Sequence, residues 1–143
     1  MVEFQLDPRL EQDCLIVGDL PLSRMLLMND ARYPWLILVP RVVGIEEVFQ
    51  LSDEQQAQLA RESSLLSCQL HRLFSADKMN VAALGNIVQQ LHVHHVVRYQ
   101  HDAAWPTPVW GRFPAQLYEQ VESRQVINQL RTELDFPFEF LWE

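Results

Sequence analysis

The sequence predicts an α+β fold built on an antiparallel sheet of about five strands with two main helices. Three observations carry this reading: short apolar runs closed by turn residues in the first forty positions, a long capped helical stretch in the middle, and further extended runs after it. At 143 residues the chain has the size of one domain. Its expected organisation is a core over about 14–112, followed by a C-terminal helix and aromatic tail over 113–143. No internal repeat, low-complexity tract or linker interrupts it.

Asp7-Pro8 opens a short helical turn, because proline is tolerated where its missing N–H costs nothing. Cys14 to Val17 reads as a strand closed by Gly18-Asp19, and Ser23 to Met28 as a second closed by Asn29-Asp30. Trp35 to Val39, set between Pro34 and Pro40, is apolar throughout, which predicts a strand buried on both faces. Ser52-Asp53-Glu54-Gln55 is a capping box that starts a helix running to about Phe74. Leu59, Leu66, Leu70 and Leu73 share its inner face, with Gln58, Arg61, Glu62 and Gln69 largely outside. Asn80 to Leu84 reads as a fourth strand, Gly85-Asn86 as a turn, and Val88 to Val97 as a fifth. A Pro- and Trp-rich segment, Trp105 to Pro114, follows; it is either a wall for a ligand or a packed loop. Leu117, Val121, Ile127, Leu130 and Leu134 then mark a second helix. The aromatic tail from Phe136 to Trp142 is expected either in the core or at a contact between copies.

Lys and Arg number 11 against 19 Asp and Glu, a formal net charge of −8 that opposes any long track along nucleic acid. A small phosphorylated ligand needs only a few donors. With Lys78 the only lysine, arginines and histidines must supply them. Cys14 and Cys68 are too few for a disulfide framework and lack metal-type pairing, which suits a reduced compartment. No basic-then-apolar leader opens the chain, and no apolar run approaches the roughly 20 residues needed to cross a bilayer. A cytoplasmic protein with no membrane partner is expected.

Four of the 5 histidines fall between His92 and His101. In an extended chain alternate residues share a face, so Gln90, His92 and His94 are expected to line one side, with neighbours roughly 6.5 to 7 Å apart. One phosphate group spans that distance. His95 then points the other way and is expected to be a hydrogen-bonded histidine without a chemical role. His-x-His on a strand also occurs in metal sites, but Gln90 is a poor ligand and no carboxylate lies in the strand; only His101-Asp102 offers one from a loop. No metal ligand set is therefore assigned.

The run Gln90-Leu91-His92-Val93-His94-His95-Val96 resembles the motif of the histidine triad (HIT) family, His-φ-His-φ-His-φ-φ with φ apolar, with glutamine in the first position. Arg24 to Asp30, Trp35 to Pro40, the capped helix, Asn80, Gly85-Asn86 and Arg98 extend the resemblance over nearly all of residues 14–112. It implies a HIT-like fold and chemistry at a nucleotide α-phosphate through a covalent nucleotidyl-histidine, on a dinucleoside polyphosphate or nucleoside phosphoramidate. His92 would be the nucleophile, suited by an imidazole pKa near 6.5 that leaves it unprotonated at neutral pH. Its second ring nitrogen would be held by a backbone carbonyl near position 90, an orienting function that Gln90 can keep. Gln90 cannot be an acid, and a lost proton donor typically costs about 10²- to 10⁴-fold. His94 would contact phosphate, help the leaving group and, if charged, offset phosphate charge. Asn29 would contact the ribose, Asn86 the phosphate side, and Arg98 would be a further phosphate donor. Trp35 stands where many members carry another histidine. The resemblance also implies a homodimer, and no cofactor beyond a divalent metal carried by the substrate's phosphates. Gln90 and Trp35 motivate an alternative, a nucleotide-binding regulatory protein with a weakened catalytic site.

Overall fold

The computed structural model describes residues 2–143. In chain order the elements are α1 (Pro8–Asp13), β1 (Cys14–Asp19), β2 (Ser23–Met28), β3 (Trp35–Pro40), a 3-10 turn (Val48–Gln50), α2 (Asp53–Leu73), β4 (Lys78–Ala82), β5 (Val93–Arg98) and α3 (Gln120–Glu133). The strands form one antiparallel sheet in the order β1-β2-β3-β5-β4, so β5 inserts between β3 and β4. The predicted α+β class and strand number hold.

Ser52 caps α2 as its sequence predicts: its hydroxyl accepts from the Gln55 N–H while the Gln55 side chain accepts from the Ser52 N–H. Helices α2 and α3 cover one face of the sheet, where Leu66, Leu70, Leu130 and Leu134 pack on Val17, Met25, Leu27, Leu36, Leu38 and Val97. The other face is covered by α1 and by the segment after β5, through Leu10, Ala104 and Val109 against Leu26, Trp35, Ile37 and Val96. Central β3 is therefore buried along its whole length, as its unbroken apolar run predicts. The face beneath α1 carries the site.

Four expectations need correction. Glu62 is buried rather than outward, because its carboxylate accepts the N–H groups of Leu22 and Ser23 in the β1–β2 turn and the Gln58 amide. Leu117 and Val121 do not face the core: both are exposed, and α3 seats itself through Leu130 with Val126 and Ile127. The fourth strand starts two residues earlier than predicted and ends at Ala82. The fifth begins only at Val93, because its ladder with β3 ends at the Leu38–Val93 pair and Leu91 N–H instead bonds Ile45 O in the loop after β3.

The C-terminal tail returns to the far edge of the sheet. Phe136, Phe138 and Phe140 pack on the helix-side core, and Leu141 forms a two-way backbone bridge with Asp19 of β1. Gly18 permits this approach: a Cβ there would stand 2.7 Å from both Leu141 O and the Phe140 ring.

Candidate active site

Residues 83–92 lie outside the sheet, so His92 lies one residue before β5 and His94 within it, yet their rings meet in T-shaped contact with centroids 4.9 Å apart. Both are buried and line one cavity of about 550 Å³. Arg9, Leu10 and Asp13 of α1 form one wall; Leu84 to Val88 form another; Trp110 and Phe113 come from the segment after β5. Trp35, Met28 and Asp30 complete it from the sheet side.

His92 Nδ1 lies 2.7 Å from the backbone O of Gln90. A carbonyl only accepts, so Nδ1 carries the proton and Nε2 carries the lone pair. This is the orienting contact expected of position 90, made by its main chain. The Gln90 side chain goes elsewhere: its Oε1 accepts from Asp7 N–H and its Nε2 donates to Gln5 O. Gln90 therefore does not share the cavity with His92 and His94, since an extended strand through position 90 does not form. Its amide instead ties down the chain that leads into α1.

His94 is held from the neighbouring strand. Trp35 pairs with Val96 across the β3–β5 ladder, which makes His94 its diagonal neighbour on the same face. The Trp35 indole Nε1–H donates to His94 Nδ1 at 2.9 Å, and the Trp110 ring stands edge-on at 5.4 Å. Burial, with further repulsion from His92 and His95, pushes the His94 pKa down to about 3. The expectation that a charged His94 offsets phosphate charge gives way to a neutral ring. His95 points to the opposite face, where its Nε2 meets the Ser63 hydroxyl of α2 at 2.7 Å, and burial lowers its pKa to about 4.

The other predicted site residues separate into two groups. Asn86 lines the cavity. Asn29 turns away from it, its Oδ1 accepting from Tyr118 N–H, while adjacent Asp30 reaches the cavity with its carboxylate paired to Arg32. Arg98 is not a phosphate donor but an internal strut. It is fully buried, forked onto Asp102 at 2.8 and 3.0 Å, and also donates to Asn80 Oδ1 and Thr107 O. Burial favours a neutral Asp102, yet Arg98 and the N–H groups of Tyr99 and Trp105 hold its carboxyl below the ordinary value. Sequence reasoning missed Arg9, the arginine that does line the cavity, because it lies some eighty residues from the histidines. Its signal is its place on a short helix leading into β1. Among the described residues, no group of three or more His, Cys, Asp or Glu side chains is arranged to hold a metal ion.

The arrangement offers one imidazole lone pair, one neutral imidazole donor and a half-open cavity between them. Residues 9–101 match the HIT domain. The chain belongs to the HIT family. A histidine triad protein from Marinobacter aquaeolei is 52% identical, with a TM-score of 0.91 over 93% of this chain and 97% of that one. One from Bradyrhizobium japonicum is 45% identical, with a TM-score of 0.90 over 93% and 99%. One from Sinorhizobium meliloti is 46% identical, with a TM-score of 0.89 over 92% and 97%. No curated protein matches the chain. Among the described residues, no helix is long and apolar enough to cross a membrane.

Proposed function

We propose that this HIT-family chain hydrolyses or transfers a nucleotidyl group at a nucleotide α-phosphate through a covalent intermediate on His92. The observation that carries it is the Gln90 carbonyl on His92 Nδ1, which leaves the Nε2 lone pair beside His94 in a cavity of nucleotide size. In this reading Gln90 replaces the first histidine of the family motif, so the chain represents a variant subfamily in which that position orients but cannot donate a proton. His94 donates to a phosphate oxygen, Asn86 serves the phosphate side, and the Arg9 side chain, 61% exposed, is free to swing its guanidinium onto phosphate charge. Asn29 acts on the ribose side through the chain it holds. Any divalent metal enters on the substrate's phosphates. The proposed setting is the cytoplasm and the proposed assembly a homodimer.

The test is a panel of nucleotides with the purified protein, read for product and for a nucleotide adduct on position 92. Turnover with a trapped adduct, both lost in His92→Ala at near-normal folding, is the expected result. A panel with neither product nor adduct defeats the reading. One observation favours a second reading, a nucleotide-binding regulatory protein: neither Gln90 nor the neutral His94 ring is placed as a strong acid. That reading predicts saturable nucleotide binding without turnover.

A further inference from the structure

The proton positions on the two cavity histidines narrow the substrate class of the chemistry proposed above, on which this reading rests. An indole N–H only donates. Trp35 Nε1, 2.9 Å from His94 Nδ1, therefore requires a lone pair there and places the ring's single proton on Nε2. Converting His94 to imidazolium would set a second N–H head-on against the indole N–H. Trp35 has nowhere to turn: it is buried, with Tyr33 and Trp110 edge-on at 6.3 and 6.1 Å.

The other titratable groups at the cavity offer no replacement acid. His92 donates its Nδ1 proton to the Gln90 carbonyl and has its Nε2 lone pair committed to attack. Asp30 is paired with Arg32, Asp13 stands 4.0 Å from Arg9, and both enter as carboxylate acceptors. Arg9 brings hydrogen-bond donors and no acceptor. His95 lies on the opposite face against Ser63.

We propose that Trp35 is a specificity-determining residue, which locks His94 as a neutral Nε2–H donor and confines the site to leaving groups that depart without a proton. The fitting substrate is a nucleoside phosphoanhydride. His92 Nε2 forms a bond to the α-phosphorus, the P–O bond to the distal phosphate breaks, and the electron pair leaves on a weakly basic phosphate oxygen. Water then adds its oxygen to phosphorus, the N–P pair returns to Nε2, and the water's proton leaves to solvent. In a phosphoramidate the departing pair would sit on nitrogen, a strong base that must be protonated as it leaves. The site holds no group to protonate it.

Two matched adenosine substrates test this, diadenosine tetraphosphate and adenosine 5′-phosphoramidate, assayed on wild type and Trp35→Phe. Wild type is expected to prefer the anhydride by roughly 10²-fold or more, the usual size of a proton donor's contribution. Trp35→Phe, which frees Nδ1, is expected to gain phosphoramidate cleavage that rises as pH falls, with a smaller change toward the anhydride. Nitrogen-15 spectra of the wild type supply a readout independent of turnover and of how the variant folds. His94 should show a protonated Nε2 and an unprotonated Nδ1 from about pH 8 to about pH 5, across the range where a free imidazole titrates. Equal cleavage of both substrates by wild type, or a His94 imidazolium near pH 5, overturns the proposal. Absence of cleavage on either substrate defeats the proposed function instead, and the spectra still decide the tautomer.

Discussion

His92 and His94 differ in what their Nδ1 atoms touch, a carbonyl oxygen for one and an indole N–H for the other. Two chemically identical rings thereby become an acceptor and a donor at the same cavity. Residue 90 contributes to this difference by its main chain, while its side chain spans Gln5 and Asp7. Gln90→His is accordingly expected to leave kcat no higher than wild type, because the new ring would have to abandon the path to Asp7 to reach the cavity. It should also lower thermal stability by the order of one or two hydrogen bonds, about 1–2 kcal/mol. Steady-state kinetics and a melting curve on that variant check both; a large gain in turnover would contradict the placement. His92 and His94 were legible as neighbours from their two-residue spacing, and so was His95, buried and bonded on the opposite face. The Trp35 contact was not, because it depends on strand register between β3 and β5, which local pattern does not specify.

At the scale of elements, β5 is a divider: His94 and Arg98 face α1 and the Trp-rich segment, and His95 faces α2. Arg98 lies two turns of the pleat from His94 and binds the 102–107 segment from below, between the Tyr33 and Trp105 rings. Arg98→Met is expected to destabilise by about 3–5 kcal/mol, since it leaves Asp102 charged and buried without its partner. Arg98→Met combined with Asp102→Asn should recover much of that loss, and denaturant unfolding of the single and double variants measures it. The capped start of α2, the first three strands and the buried character of β3 were readable from turn residues and apolar runs. Residues 88–92 were misread as strand because the alternation of Gln90-Leu91-His92-Val93-His94 runs without a break into β5, whereas the hydrogen-bond partner that decides it, Ile45, lies in a distant loop. Glu62 misled for a similar reason: an acidic residue on a helix reads as solvated until a turn presents two N–H groups to it.

For the whole molecule, pH couples to folding through both faces of the sheet. His94 and His95 have folded pKa values of about 3 and about 4, below the ordinary 6.5. The unfolded chain therefore binds more protons as pH falls below 6.5, and stability declines from there toward pH 4. With two such groups the slope should reach about 2–3 kcal/mol per pH unit, and a further loss follows at lower pH as Asp102, held below its ordinary value, is protonated. Chemical denaturation at a series of pH values reads this directly; a flat profile between pH 6.5 and 4 would count against neutral burial of the two rings. Gly18→Ala should cost about 1–3 kcal/mol by pushing the C-terminal segment off β1, read as earlier unfolding without a change in the histidine geometry.

That C-terminal segment also decides where the sheet is able to grow. Leu141 already occupies backbone groups on the β1 rim, so a foreign strand arriving there would first have to evict a resident one. The opposite rim, β4, carries exposed Val81 and meets only β5 within the chain's own sheet. The proposed two-fold assembly thus has one open rim to draw on, the one nearest the histidines; the other is self-sealed.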